Sequence, residues 1–214
     1  MEKLGLGADE VLTTTRAVRK RLDLTRPVEF SVIRECLEIA LQAPIGGNSP
    51  RFRFIVVMDA AKRGQLAALY RRFYDEYLQT PPKSHQAVSS TNRSRLLGST
   101  DYLAKHLHEV PVFVLPCISP RLSMISGFPA HTNGSSLYPA AWSYMLAARE
   151  RGLGTCMTTG HLKYEREAAD ILGIPYEETA QGCLIPTAYT IGTDFKPAKR
   201  PPVDDFIYLN GWRE

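Results

Sequence analysis

The stretch Leu41-Gln-Ala-Pro-Ile-Gly-Gly-Asn-Ser-Pro50 decides how this chain is read. Upstream, residues 31–42 carry Val32, Ile33, Cys36, Leu37, Ile39 and Ala40 at helical spacing, with Ser31 placed as N-cap. Downstream, residues 52–58 (FRFIVVM) form an apolar strand, expected to be covered on both faces. Between them, a proline, two glycines and an asparagine make a loop whose backbone can approach another group closely. Cations lie far from it in sequence: Arg16 with Arg19, and Lys199 with Arg200. Such a loop with separate cationic anchors suits a phosphate-bearing cofactor.

Working outward, the rest of the chain alternates helices and strands. Residues 9–15 suggest a short helix capped by Asp9, and Asp59 caps a helix running to about Tyr77, with Leu66, Leu69, Tyr70, Phe73 and Tyr77 on its apolar side. Residues 79–95 are polar and proline-bearing and are expected to be loop, followed by a short helix at about 100–108 and a strand at 112–118. Residues 119–133 again suggest loop. A helix at about 138–151 places Pro139 in its first turn and stops at Gly152. Strand 154–158, a helix near 164–172 ended by Gly173, and strand 182–191 follow. The tail has prolines at 197, 201 and 202, then Phe206, Ile207, Tyr208, Leu209 and Trp212. Apolar groups of that size are seldom left in water, so the tail packs on its own domain or on a partner subunit.

Composition bounds the function. The 214 residues suit a single domain, 1–214, with 44% hydrophobic and 22% charged residues and a net charge of +4. The cations are scattered, against a nucleic-acid-binding stripe. The four cysteines, Cys36, Cys117, Cys156 and Cys183, have no CxxC spacing and read as buried free thiols in a reducing compartment. The N-terminal residues lack a signal-peptide pattern and no apolar run reaches membrane-spanning length, so a cytoplasmic protein without membrane attachment is expected. The chain carries no HExxH, GxSxG, P-loop or GxGxxG motif. His106 and His108 are spaced i, i+2 and do not face together, which leaves no metal site, and His161 reads as a surface histidine just past a strand end.

Four segments in order resemble the FMN-dependent nitroreductase family. Thr15-Arg16-Ala17-Val18-Arg19 is similar to the family's Arg-Arg-Ser-Val-Arg motif. Ala43-Pro44-Ile45-Gly46-Gly47-Asn48-Ser49-Pro50-Arg51-Phe52 is similar to its Ala-Pro-Ser-Gly-Gly-Asn-x-Gln-Pro-Trp loop. Pro139 through Gly160 resembles its central helix and following strand, and Lys199-Arg200-Pro201-Pro202 its closing anchor.

The resemblance implies an α+β domain with a mainly antiparallel central sheet flanked by helices, and a homodimer whose C-terminal tails, 196–214, are exchanged around FMN. It implies that Arg16, Ala17, Lys199 and Arg200 hold the FMN phosphate, and that Arg19 lies at the pyrimidine edge of the ring. It sets Pro44, Ile45, Gly46 and Asn48 against ribityl and ring, and Thr158, Thr159 and Gly160 near the reactive nitrogen. The activity implied is two-step transfer of electrons from NADH or NADPH to a small organic acceptor such as a nitro compound or quinone. The flavin does that chemistry, so no side chain is assigned as acid or base. A low-turnover flavin-binding protein, or a dehalogenase or dehydrogenase on the same fold, are the alternatives. Ala17 and Ile45 stand where the family has serines, Thr15 where it often has arginine, and Pro50, Arg51 and Phe52 where it has Gln-Pro-Trp.

Overall fold

Along the strand Val112–Ile118, Val112 and Val114 point into one apolar cluster, and Phe113, Leu115 and Cys117 into another. That period-2 alternation, with every residue apolar, marks a strand covered on both faces. The computed structural model describes residues 3–79, 90–121 and 127–212. Its helices are α1 (Ala8–Thr14), α2 (Phe30–Ala40), α3 (Ala60–Gln79), α4 (Ser90–His106), α5 (Phe128–Glu150) and α6 (Glu165–Leu172). Its strands are β1 (Phe52–Val57), β2 (Val112–Ile118), β3 (Leu153–Thr155), β4 (Ala180–Gln181) and β5 (Ile185–Tyr189). The sheet order is β1-β2-β5-β3, with β4 paired to the end of β2 and every pairing antiparallel. One cluster gathers α2 and α5 against the sheet, the other α3, α4 and α6. The expected α+β architecture with an antiparallel sheet flanked by helices is therefore the one observed.

β1 shows how an edge strand stays covered. Phe54 and Val56 pack with the α2–α5 cluster, whereas Ile55 and Val57 pack with the α3 side. α2 buries Val32, Ile33, Cys36 and Ala40, but Ile39 lies off that stripe and is exposed. α3 buries Leu66, Leu69 and Tyr70 as its spacing indicates, and also Tyr74. Asp59 Oδ1 accepts the Lys62 N–H at 2.8 Å, the expected cap. Ser31 and Asp9 are not caps: α2 begins at Phe30 after Glu29, and α1 at Ala8 after Gly7, with no side-chain cap bond at either end. Gly173, in the left-handed region at φ 69°, closes α6. All four cysteines are buried free thiols; burial pushes Cys36 up to about 11 and Cys117 and Cys183 up to about 12.

Helix α4 is longer than expected, because residues 90–99 continue the helix upstream of Thr100; residues 80–89 of the expected 79–95 loop lie outside the described residues. Helix α5 begins at Phe128 rather than near Tyr138, so Pro139 is interior. A proline deep in a helix loses one backbone bond but does not end it when packing on both sides holds the turn. Here Leu137, Ala140, Ala141 and Tyr144 are fully buried around it. Residues 122–126 of the expected 119–133 loop lie outside the described residues. The late strands are shorter than their apolar runs, β3 ending at Thr155 and β5 at Tyr189; past β3 an isolated bridge still joins Thr158 to Leu184. Among the described residues no helix is long and apolar enough to cross a membrane, and no His, Cys, Asp and Glu group could hold a metal.

Candidate functional site

The N-terminal segment after α1 is stitched to β3. Ala17 bridges Thr155 in parallel, and the Val18 N–H donates to the Thr155 carbonyl at 2.8 Å. This pairing carries Arg19 alongside the strand that leads to Thr158-Thr159-Gly160. The two segments meet in a cavity of about 220 Å³, roofed by Tyr70, Phe73, Tyr74 and Tyr77 of α3 and by Leu96, Leu97 and Thr100 of α4. Four aromatic rings spaced i, i+3, i+4, i+7 along one helix make that roof largely apolar.

Arg19 puts a permanent charge into this apolar setting. Its Nε is shielded from solvent and has no hydrogen-bond partner among the described residues. A guanidinium N–H left unpaired in a low-dielectric place is costly, so an acceptor placed there would be stabilising. Burial pushes the Tyr70 phenol up, opposed by Thr158 and by the Arg19 charge. Burial also pushes the Cys156 thiol up, again against Arg19. Gly160 is where the strand end meets the roof. A Cβ there would lie 2.4 Å from Phe73 Cδ1 and 2.9 Å from Tyr70 Cδ2, so only glycine permits the approach.

His161, the next residue, corrects an expectation: it is fully buried rather than a surface group. The 3₁₀ turn Gly160–Tyr164 carries its ring inward. Neither ring nitrogen makes a hydrogen bond of good geometry among the described residues. Burial pushes its pKa down to about 4, with only Gln181 pulling upward. Behind it, Glu165 pairs with the buried Arg121 and accepts the Gln181 N–H, fixing the turn from the rear. No local pattern announced this packing, since its partners come from β4 and from the segment after β2.

The Pro44–Asn48 loop is a separate feature. Gly46 packs on α5, donating its N–H to Ser136 Oγ at 2.9 Å, and a Cβ there would meet Thr132 Cγ2 at 2.8 Å. Gly47 and Asn48 both take positive φ, 61° and 49°, which explains the glycine and asparagine. Pro44, Gly46 and Asn48 are exposed and Ile45 half-buried. None of the four lines the Arg19 cavity.

At the other end of the chain, Lys199 and Arg200 are exposed, and Arg16 Nη1 donates to the Lys196 carbonyl at 2.8 Å. The structure thus brings Arg16 to the root of the tail, and Arg19 to Thr158–Gly160. The loop it leaves elsewhere on the same chain. A larger cavity, about 600 Å³, is lined by Arg51, Arg53, Pro120 and the Glu177–Glu178 pair and contains no residue expected at the site.

These residues fit FMN in part. A half-buried guanidinium with an unpaired Nε–H beside an aromatic roof suits the polar edge of a planar ring, and Arg16, Lys199 and Arg200 suit a phosphate. A cavity of about 220 Å³ takes the edge of such a molecule, not its whole length.

The Nitroreductase family model matches residues 12–189, and the chain belongs to that family. No curated protein matches it in sequence. Among solved structures it is similar to oxidized iodotyrosine deiodinase bound to FMN and 3-iodo-L-tyrosine, at 21% identity over 94% of this chain and 98% of that one, TM-score 0.68. It is similar to a BluB-like flavoprotein from Clostridium difficile 630, at 19% identity over 97% and 100%, TM-score 0.70. It also resembles a mutant FMN and NADPH-dependent nitroreductase from sphigopyxis sp. strain HMH, at 19% identity over 97% and 100%, TM-score 0.69. At these identities the likeness establishes the common fold.

Proposed function

We propose that the protein is an FMN-dependent oxidoreductase that works as a homodimer. The observation that carries this reading is the Arg19 Nε, shielded and without a hydrogen-bond partner among the described residues, at an aromatic-roofed cavity bounded by Thr158, Thr159 and Gly160. Bound FMN would supply two-electron chemistry between NADH or NADPH and a small organic acceptor such as a nitro compound or quinone. Arg19 holds the pyrimidine edge and favours whichever state there is more negative. Backbone at Thr158–Gly160 orients the ring, and the α3 roof keeps water from it. Arg16, with its neighbour Ala17, and Lys199 and Arg200 hold the phosphate.

The remaining contacts, from Pro44, Ile45, Gly46 and Asn48, come from a second copy of the chain. The reason is placement: this loop is exposed and does not line the cavity of its own chain. The tail supports the same arrangement, with Leu209 and Trp212 each 85% exposed. Heating the purified protein and running the released cofactor against standards tests the flavin assignment. FMN is expected; FAD, or no flavin even after reconstitution, overturns it. Oxidation of NADH or NADPH by the loaded protein then separates a reductase from a flavin-binding module.

A further inference from the structure

Three arginines from distant parts of the chain converge on residues 191–196, the root of the tail. Arg21 Nε donates to the Ile191 carbonyl at 2.8 Å, and its Nη2 pairs with Asp194 at 2.5 Å. Arg149, from the last turn of α5, donates to the Thr193 carbonyl at 3.0 Å. Arg16 donates to the Lys196 carbonyl at 2.8 Å. Phe195 lies beneath two of the guanidinium groups, Arg21 at 4.3 Å and Arg149 at 5.0 Å from its ring centroid. Arg149 is only 5% exposed, and its Nη1 has no hydrogen-bond partner among the described residues.

Of the three, Arg149 is the buried charge. Desolvating a guanidinium is expensive, and a carbonyl repays less of it than a carboxylate. Asp194 is the one carboxylate paired with these three arginines among the described residues, and its side chain is 83% exposed. Glu10 and Glu150 act on Arg149 only through their fields. Positive charge is in surplus here, and Lys196, Lys199 and Arg200 add to it. An anion is the natural complement.

The clamp also restricts geometry. From Lys196 to Lys199 is three residues, a reach of about 11 Å at most. Pro197, Pro201 and Pro202 remove much of the remaining freedom. Fixing the carbonyls of Ile191, Thr193 and Lys196 therefore confines where the Lys199–Arg200 pair can go.

We propose that Arg21, Arg149 and Phe195 are positioning residues for a terminal phosphate monoester: they clamp the tail root so that Lys199 and Arg200 meet the phosphate beside Arg16. The inference rests on the FMN reading and adds residues that touch neither phosphate nor ring. Arg16 joins the two roles, because the same side chain reaches the tail root and belongs to the phosphate site.

The test uses full-length protein and two ligands, FMN and riboflavin, which differ only in the phosphate. Arg21→Met and Phe195→Leu should each weaken FMN binding about tenfold, the value of most of one charge-assisted contact, with riboflavin binding unchanged. Asp194→Asn should show the same pattern at smaller amplitude. Inorganic phosphate should compete with FMN on the wild type and less well on the variants. In the flavin-free variants, amide exchange over residues 191–200 should quicken. Equal losses for FMN and riboflavin, or no loss of either, overturns the proposal. So does faster exchange with FMN affinity unchanged, which would make the clamp a staple of the fold alone. A wild type that binds riboflavin as tightly as FMN sinks the clamp's role but leaves the flavin reading standing; a wild type that binds neither sinks both.

Discussion

Arg19 and His161 border the same turn and behave oppositely, one charged and one held neutral. The place of Arg19 beside Thr158–Gly160 matches what the resemblance of residues 15–19 to the family motif implies, a motif that is local and needs no knowledge of packing. Replacing it with alanine should lower the midpoint potential of the flavin-loaded protein by roughly 30–60 mV, the two-electron equivalent of one charge-assisted contact. Potentiometry decides it, and an unshifted potential would return Arg19 to the phosphate group. His161 differs from its sequence reading because its surroundings are set by the fold: Gln181, distant in sequence and placed by β4, is its polar neighbour. Its folded pKa of about 4 lies below the ordinary 6.5. Between those values the unfolded chain holds the extra proton, so stability is full above pH 6.5 and falls as pH drops towards 4. The loss should reach about 3 kcal/mol, from about 1.4 kcal/mol per pH unit at the steepest. Denaturant unfolding at pH 7 and pH 4.5 measures it. His161→Leu should flatten the profile, and parallel curves for the two proteins would refute the assignment.

Elements whose signal is local were readable, and those shaped by tertiary packing were not. β2, α3 and α6 follow directly from period-2 or helical apolar spacing and from Asp59 and Gly173. The start of α5 was hidden by Pro139, whose local preference for a first turn is overridden by the buried Leu137, Ala140 and Tyr144 around it. The junction of α3 with the Gly160–Tyr164 turn gives a test at this scale. Gly160→Ala would drive a methyl into the Phe73 and Tyr70 rings and should cost about 1–3 kcal/mol. Phe73→Ala in the same chain should recover part of that loss. Strict additivity of the two changes in a double-mutant cycle would show that the rings do not set the requirement.

For the whole molecule, motif order pointed to the family but not to how far apart one chain keeps the Pro44–Asn48 loop and the Arg19 cavity. The Pro44–Asn48 loop and the Arg19 cavity are separate features, and the apolar tail finds little cover on its own chain, with Phe206 69% exposed. Deleting residues 203–214 should therefore shift sedimentation from dimer to monomer and lower flavin retention. A monomer that keeps its full complement of flavin would exclude the shared site. The hydrogen bond from Arg16 to Lys196 spans 180 residues. During synthesis the first partner leaves the ribosome when almost the entire remaining chain is still to be made. The tail-root clamp therefore cannot close until every strand of the sheet, β1 to β5, has been synthesised.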